Sequence, residues 1–110
     1  FQVVSPLDIL EEGINKTIDK VRARSTSRKY VSIDLDCLDP AFAPGVSVPT
    51  PCGLTSVELI CLVKHAVSSG IIGMDIVELC PRYDINDITA SLAARLLSES
   101  VASMKSGYLG

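Results

Sequence analysis

The chain is poor in histidine, in basic charge and in long apolar runs. Its single histidine, His65, falls within a helical pattern and reads as a surface or packing residue rather than a general base. No Ser-His-Asp set, GxSxG turn or phosphate-cradling glycine loop is present, which removes several common enzyme signatures. The formal net charge is −3, and without a basic stripe no nucleic-acid partner is expected. Apolar runs stop well short of the ~20 residues a membrane span requires. No signal-peptide pattern opens the chain, so no membrane partner is expected either. The four cysteines, Cys37, Cys52, Cys61 and Cys80, lack CxxC or His-paired spacing, which argues against a zinc ribbon. They read as free thiols of a cytoplasmic protein. Internal repeats and low-complexity tracts are also missing.

What is present is enough apolar material for one core, with 47% hydrophobic residues in a chain of 110. The sequence begins at Phe1 rather than Met, so residues 1–110 are expected to be a fragment or processed product of something longer. Ser5-Pro6-Leu7-Asp8 has the form of a helix start, with Ser5 as N-cap and Pro6 in the first turn. Leu7, Leu10, Ile14, Ile18 and Val21 then recur at helical spacing, which predicts one amphipathic helix broken by Ser25-Thr26-Ser27. The cations Arg22, Arg24, Arg28 and Lys29 follow as a helix C-terminus would favour. Tyr30 to Leu35 reads as a short strand. Thr55-x-x-Glu58 predicts a capping box ahead of a helix that carries Val57, Ile60, Val63 and Val67, backed by Leu59 and Leu62. Ile71 to Leu79 suits a strand buried on both faces of a parallel sheet. Asn86 or Asp87 would cap a last helix bearing Ile88, Leu92, Leu96, Leu97, Val101 and Met104. Helix, strand, helix, strand, helix implies a parallel α/β sheet that needs further strands from elsewhere.

The acids stand out against this frame. Asp34 and Asp36 follow an apolar strand, and side chains at i and i+2 of a strand share a face. Two unpaired carboxylates so close repel, and one is driven towards protonation unless a cation intervenes. Glu78 ends the second strand, so all three acids reach the carboxyl rim of the sheet, where open parallel sheets bind ligands. An all-oxygen site of this kind suits Mg²⁺ or Mn²⁺. The loop 36–54 holds four of the six prolines, and with Phe42, Val46 and Val48 it is expected to be ordered and functional. Asp39 before Pro40 reads as a turn former. Asp75, of opposite parity to Glu78, reads as a buried, hydrogen-bonded structural acid, and Asp84 and Asp87 as caps or solvated residues. An EF-hand is excluded, because the glycine and glutamate that should follow Asp34-x-Asp36 are absent.

The string from Ser32 to Gly45, Ser-Ile-Asp-Leu-Asp-Cys-Leu-Asp-Pro-Ala-Phe-Ala-Pro-Gly, resembles a metal-binding signature of the ureohydrolase family of arginases, agmatinases and formimidoylglutamases, SxDxDxxDPxxxPG. The resemblance continues through Gly53-Leu54-Thr55 with Glu58, Gly73-x-Asp75-Ile76-Val77-Glu78, Pro81-x-Tyr83-Asp84 and Thr89-Ala90. The Pro-x-Tyr-Asp pattern and the Ala-Pro-Gly-Val turn look closer to agmatinase-like members. The family implies a three-layer α/β/α fold with a parallel sheet, here in its C-terminal part, and a binuclear Mn²⁺ centre. By that resemblance Asp34 would bridge the two ions, Asp36 would bind one, and Glu78 would receive the guanidinium of a small substrate. Hydrolysis to urea and an amine would follow, in a homo-oligomer.

The chain also departs from the family. The Gly-Gly-Asp-His and Asp-Ala-His-x-Asp motifs that supply the other ligands do not occur, so the isolated chain is expected to bind metal weakly and to catalyse little. Val48 stands where arginases carry threonine, and Ser47 and Cys52 where glycines are common. A haloacid-dehalogenase-like phosphohydrolase also places Asp-x-Asp at a strand end, but Leu38 occupies the position where that family expects Thr or Val. A third reading keeps the scaffold without catalysis, as an assembly subunit.

Overall fold

The computed structural model describes residues 2–24 and 28–109. Its elements are α1 (Pro6–Glu12), α2 (Ile14–Ala23), β1 (Tyr30–Asp34), α3 (Ser56–Val67), β2 (Gly73–Val77) and α4 (Ile88–Leu109), with 3-10 turns at Leu35–Cys37 and Pro81–Tyr83. The start of α1 is the predicted one. The Asp8 amide donates to the Ser5 hydroxyl at 3.2 Å, and the Ser5 amide donates to the Asp8 carboxylate at 2.8 Å. The single helix expected over this region is instead two. Gly13 stands between them at φ 88°, ψ 151°, an extended left-handed conformation that no helix can contain. The break also turns the apolar face. Leu7 and Leu10 are exposed, while Ile9, Thr17 and Ile18 are buried. Ser25-Thr26-Ser27 lies outside the described residues.

β1 and β2 pair in parallel, from Tyr30 opposite Gly73 to Asp34 opposite Val77. Both strands are shorter than predicted. Ile33 with Val31, Met74 and Ile76 faces a core formed by Leu59, Val63 and Val67 of α3 and Leu96 of α4. Each fully buried leucine of this set stabilises the fold by about 1.5–3 kcal/mol. The second strand is therefore covered on one face only. Its other face carries Asp75, which is half-exposed rather than buried and accepts hydrogen bonds from Tyr30 (3.0 Å) and Ser32 (2.6 Å). Among the described residues the helices occupy one side of the sheet, so two of the three expected layers are built.

α3 carries the predicted capping box, with the Glu58 amide 3.1 Å from the Thr55 hydroxyl and the Thr55 amide 2.9 Å from the Glu58 carboxylate. Its buried stripe is Leu59, Val63 and Val67, whereas Val57 faces outward. In α4 the buried positions are Thr89, Leu96 and Ser100, and Ile88, Leu97 and Val101 are largely exposed. Neither Asn86 nor Asp87 is an ordinary N-cap. Both sit at positive φ (50° and 58°), outside the extended region an N-cap requires. The cap comes from Asp84 instead, whose carboxylate accepts from the amides of Thr89 and Ala90, each at 3.0 Å.

Candidate active site

The loop from Asp36 to Leu54 is tied across its base by two backbone hydrogen bonds. The Asp39 amide donates to the Leu54 carbonyl, and the Leu54 amide donates to the Cys37 carbonyl, each at 2.9 Å. Leu38, Ala43 and Val46 anchor it in the core, while Val48 is exposed and Phe42 partly so. Asp39 is the expected turn former, its carboxylate 2.9 Å from the Ala41 amide. The other oxygen accepts the Cys52 amide at 3.0 Å, which helps to hold Cys52 at a left-handed φ of 64°. The loop is thus ordered by its acids as much as by its prolines.

Asp34 is the last residue of β1 and is exposed. Asp36 is not on the strand. The chain turns into a 3-10 helix at Leu35, and Asp34 caps that turn by accepting the Asp36 amide at 2.8 Å. The two acids come together through this turn rather than through strand parity. Asp36 is half-buried, and its Oδ1 is fully enclosed without a hydrogen-bond partner. Burial, and then the neighbouring Asp34 charge, raise its carboxyl above the ordinary value. The same burial, with Asp34 and Asp36 nearby, pushes the Cys37 thiol up to about 11, so Cys37 is no nucleophile at neutral pH. All four cysteines are free.

A buried carboxylate oxygen without a donor is costly, and a cation is one partner that satisfies it. The Asp34–Asp36 pair therefore fits a hard divalent metal as part of its ligand set. It is not a complete set: among the described residues no group of three or more His, Cys, Asp or Glu side chains could hold an ion. A cavity of about 460 Å³ adjoins Asp36, with Cys37, Thr50 and Cys52 at its polar end and Ile9 and Leu62 in its wall. The larger cavity, about 750 Å³, lies between α2, α3 and α4 around Lys64 and Glu99 and touches none of the rim acids. Of the three candidate acids, only Asp36 lines the smaller one. His65 lines the larger, its Nδ1 3.0 Å from an Arg22 guanidinium nitrogen. Arg22 only donates, so Nδ1 accepts and the histidine proton sits on Nε2. Of the four cations expected at a helix end, Arg22 is in the last turn of α2, where Lys20 joins it, and Arg24 stands at its end. Arg28 and Lys29 lie on the approach to β1.

Glu78 follows β2 on the same rim, one residue beyond the Asp34–Val77 pair. It is exposed and held at φ 74°. A left-handed glutamate is uncommon, and such strain persists only where the surroundings over-determine it. Two residues on, the Cys80 amide donates to the Gly45 carbonyl at 2.7 Å, and the Gly45 amide donates to the Thr89 hydroxyl at 2.8 Å. Thr89, fully buried, and Asp84, a cap as one of its expected readings had it, thus join this rim, and the residue pattern gave no sign of Thr89. For Thr89 the one sequence signal was its presence within the family resemblance.

A sequence profile of the arginase family matches residues 1–102. The chain is similar to an agmatinase of Escherichia coli O7:K1, 41% identical over 100 residues that make up 90% of this chain and 33% of the relative. The agmatine ureohydrolase of Thermoplasma volcanium superposes with a TM-score of 0.83 at 41% identity, over 94% of this chain and 34% of that one. Proclavaminate amidino hydrolase from Streptomyces clavuligerus does so with a TM-score of 0.88 at 36% identity, over 96% of this chain and 36% of that one. The chain spans about a third of the length of the relatives it matches. The profile match over nearly the whole sequence and the shared parallel α/β arrangement make this chain a member of the arginase family.

Proposed function

We infer that this chain is the C-terminal part of a ureohydrolase that cleaves a small guanidino compound to urea and an amine. Asp34 and Asp36 are its contribution to the binuclear manganese centre on which the arginase family generally depends. The observation that carries the reading is the enclosed, partnerless Oδ1 of Asp36 beside Asp34, at the rim Glu78 shares. Manganese, when bound, supplies an activated water at neutral pH and offsets the charge that develops on attack. Asp34 and Asp36 hold and orient that centre. Asp39 keeps their loop in place through Ala41 and Cys52. Among the described residues the Glu78 carboxylate makes no ion pair or hydrogen bond, which leaves a planar, two-oxygen acceptor for a planar guanidinium donor.

Agmatine is the substrate favoured by the similarity to two agmatine-named relatives. The similarity to an amidino hydrolase for proclavaminate argues that the guanidinium end is common and that the distal end is read elsewhere. The missing ligands would come from upstream sequence, in a cytoplasmic homo-oligomer. The test is urea release by the manganese-loaded longer protein from agmatine, arginine and guanidinobutyrate in turn. Urea from agmatine, lost on Asp34→Ala, is the expected result. Phosphate released from a phosphate ester with no urea from any guanidine would favour a phosphohydrolase. No turnover of either kind would leave the scaffold as an assembly subunit.

A further inference from the structure

The left-handed backbone of Glu78 needs a cause, and the nearest fixed contacts lie on three separate segments. Gly45, on the loop that begins at Asp36, receives the Cys80 amide on its carbonyl at 2.7 Å. Its own amide donates to the buried Thr89 hydroxyl at 2.8 Å, across 44 residues of sequence. Its α-carbon lies directly against Asp84, where an added Cβ would come within 2.8 Å of both the Asp84 Cβ and Cγ. The Asp84 carboxylate in turn accepts three amides, from Ile85 (2.9 Å), Thr89 (3.0 Å) and Ala90 (3.0 Å). The Pro81–Tyr83 turn closes the span between Cys80 and Asp84, with the Tyr83 amide 3.1 Å from the Cys80 carbonyl. Each donor in this knot has its acceptor. The hydrogen bonds that link Thr89 to the rim run through Gly45 to Cys80, and Asp84 packs on the same glycine.

We propose that Asp84 and Thr89, acting through Gly45, are positioning residues that hold Glu78 in its left-handed conformation for guanidinium capture. The inference rests on the reading of Glu78 as the guanidinium acceptor. The knot fixes the chain two residues after Glu78, and the β1–β2 pairing fixes it one residue before. A residue pinned on both sides has little freedom to relax out of a strained φ. Because the same glycine belongs to the loop of Asp36, the knot also sets the acceptor's position relative to the metal-binding acids. Loss of the Thr89 hydroxyl would therefore misplace the substrate's charged end and leave Asp34 and Asp36 with their own local contacts intact.

The test compares Thr89→Val, Thr89→Ser and Asp84→Asn in the manganese-loaded longer protein. Three quantities are read: KM against kcat on agmatine, manganese bound per chain, and hydrogen exchange at the Cys80 amide. The expected result for Thr89→Val is a KM raised about tenfold, the worth of one net hydrogen bond, with kcat and manganese content within about twofold of wild type. Exchange at Cys80 quickens, and Thr89→Ser returns both KM and exchange to wild-type values. Asp84→Asn, which trades one amide acceptor for a donor, moves KM in the same direction and carries the comparison if Thr89→Val does not fold. Faster Cys80 exchange with an unchanged KM would overturn the proposal, as would a fall in kcat and manganese content at constant KM. A wild-type protein that releases no urea from any guanidine overturns the Glu78 reading first, before any substitution is made.

Discussion

Asp36 lies within one 3-10 turn beyond the strands and Asp84 directly follows another, and they are satisfied to opposite degrees. Asp84 accepts three backbone amides. Burial raises its carboxyl, but the hydrogen bonds from Thr89, Ala90 and Ile85 outweigh that and hold it below the ordinary value. Asp36 has an enclosed oxygen with no donor, and burial with the Asp34 charge holds it above. The first carboxylate is consumed in organising backbone. The second keeps its full acceptor capacity, at a cost in folding that a bound cation would offset. Chemical availability and structural satisfaction are thus divided between two residues of one type, one bound into the scaffold and one at the proposed site.

The sharpest way to break this comparison is to remove the unsatisfied side. Asp34→Ala, or Asp36→Ala, is expected to abolish urea release and to weaken manganese binding on the order of a hundredfold or more, since changes to mere outer-shell partners already cost ~10–100-fold. Metal titration followed by a urea assay checks it. Next in size is Gly45→Ala, which drives a Cβ to 2.8 Å from Asp84 side-chain carbons that are themselves held by three amides. Overpacking of this kind costs about 1–3 kcal/mol, read as a lower denaturation midpoint at unchanged slope.

A smaller effect separates the two acids by pH. In the folded chain the Asp84 carboxyl is held below its ordinary value, so its stabilisation is complete above the ordinary carboxylate range and is lost as pH falls on through the lowered one. As pH falls below the ordinary carboxylate range, wild type is expected to lose stability more steeply than Asp84→Asn, which has no proton to gain there. Equal slopes in acid denaturation would show that the amide bonds to Asp84 do not distinguish its charged form. The smallest change is Thr89→Ser. It keeps the hydroxyl that accepts from Gly45 and should leave the denaturation midpoint close to wild type, whereas Thr89→Val costs about 1 kcal/mol.

Much of the fold was legible because its signals are local. Ser5 with Asp8 and Thr55 with Glu58 close their capping boxes within three residues. The Asp39 turn closes within two. The β1 and β2 cores stand out as short β-rich runs. The helix faces were read less well. Leu7, Leu10 and Val57 fit an apolar spacing yet face outward, because Gly13 breaks the first helix and because α3 turns Leu59 rather than Val57 towards Ile33. Asp75 fits an apolar strand and lies on an open face, since the described helices cover only the other one.

Of the candidate site, residue identities and their common rim follow from the order of strands and acids. The arrangement that brings Asp36 to Asp34 does not, because a strand and a 3-10 turn both place i and i+2 within reach and only the backbone chooses. The amino-acid sequence by itself determined a parallel α/β unit of the arginase family with three acids at the carboxyl ends of its strands. Hydrophobic periodicity, caps and turns act over a few residues and are written into the chain directly. Tertiary structure alone decided which carboxylate is spent on backbone and which is left open, and it alone set Glu78 at φ 74°. The backbone that Asp84 and Thr89 organise meets Gly45, about forty residues away. Contacts at that separation form only when the core closes, and no local pattern announces them.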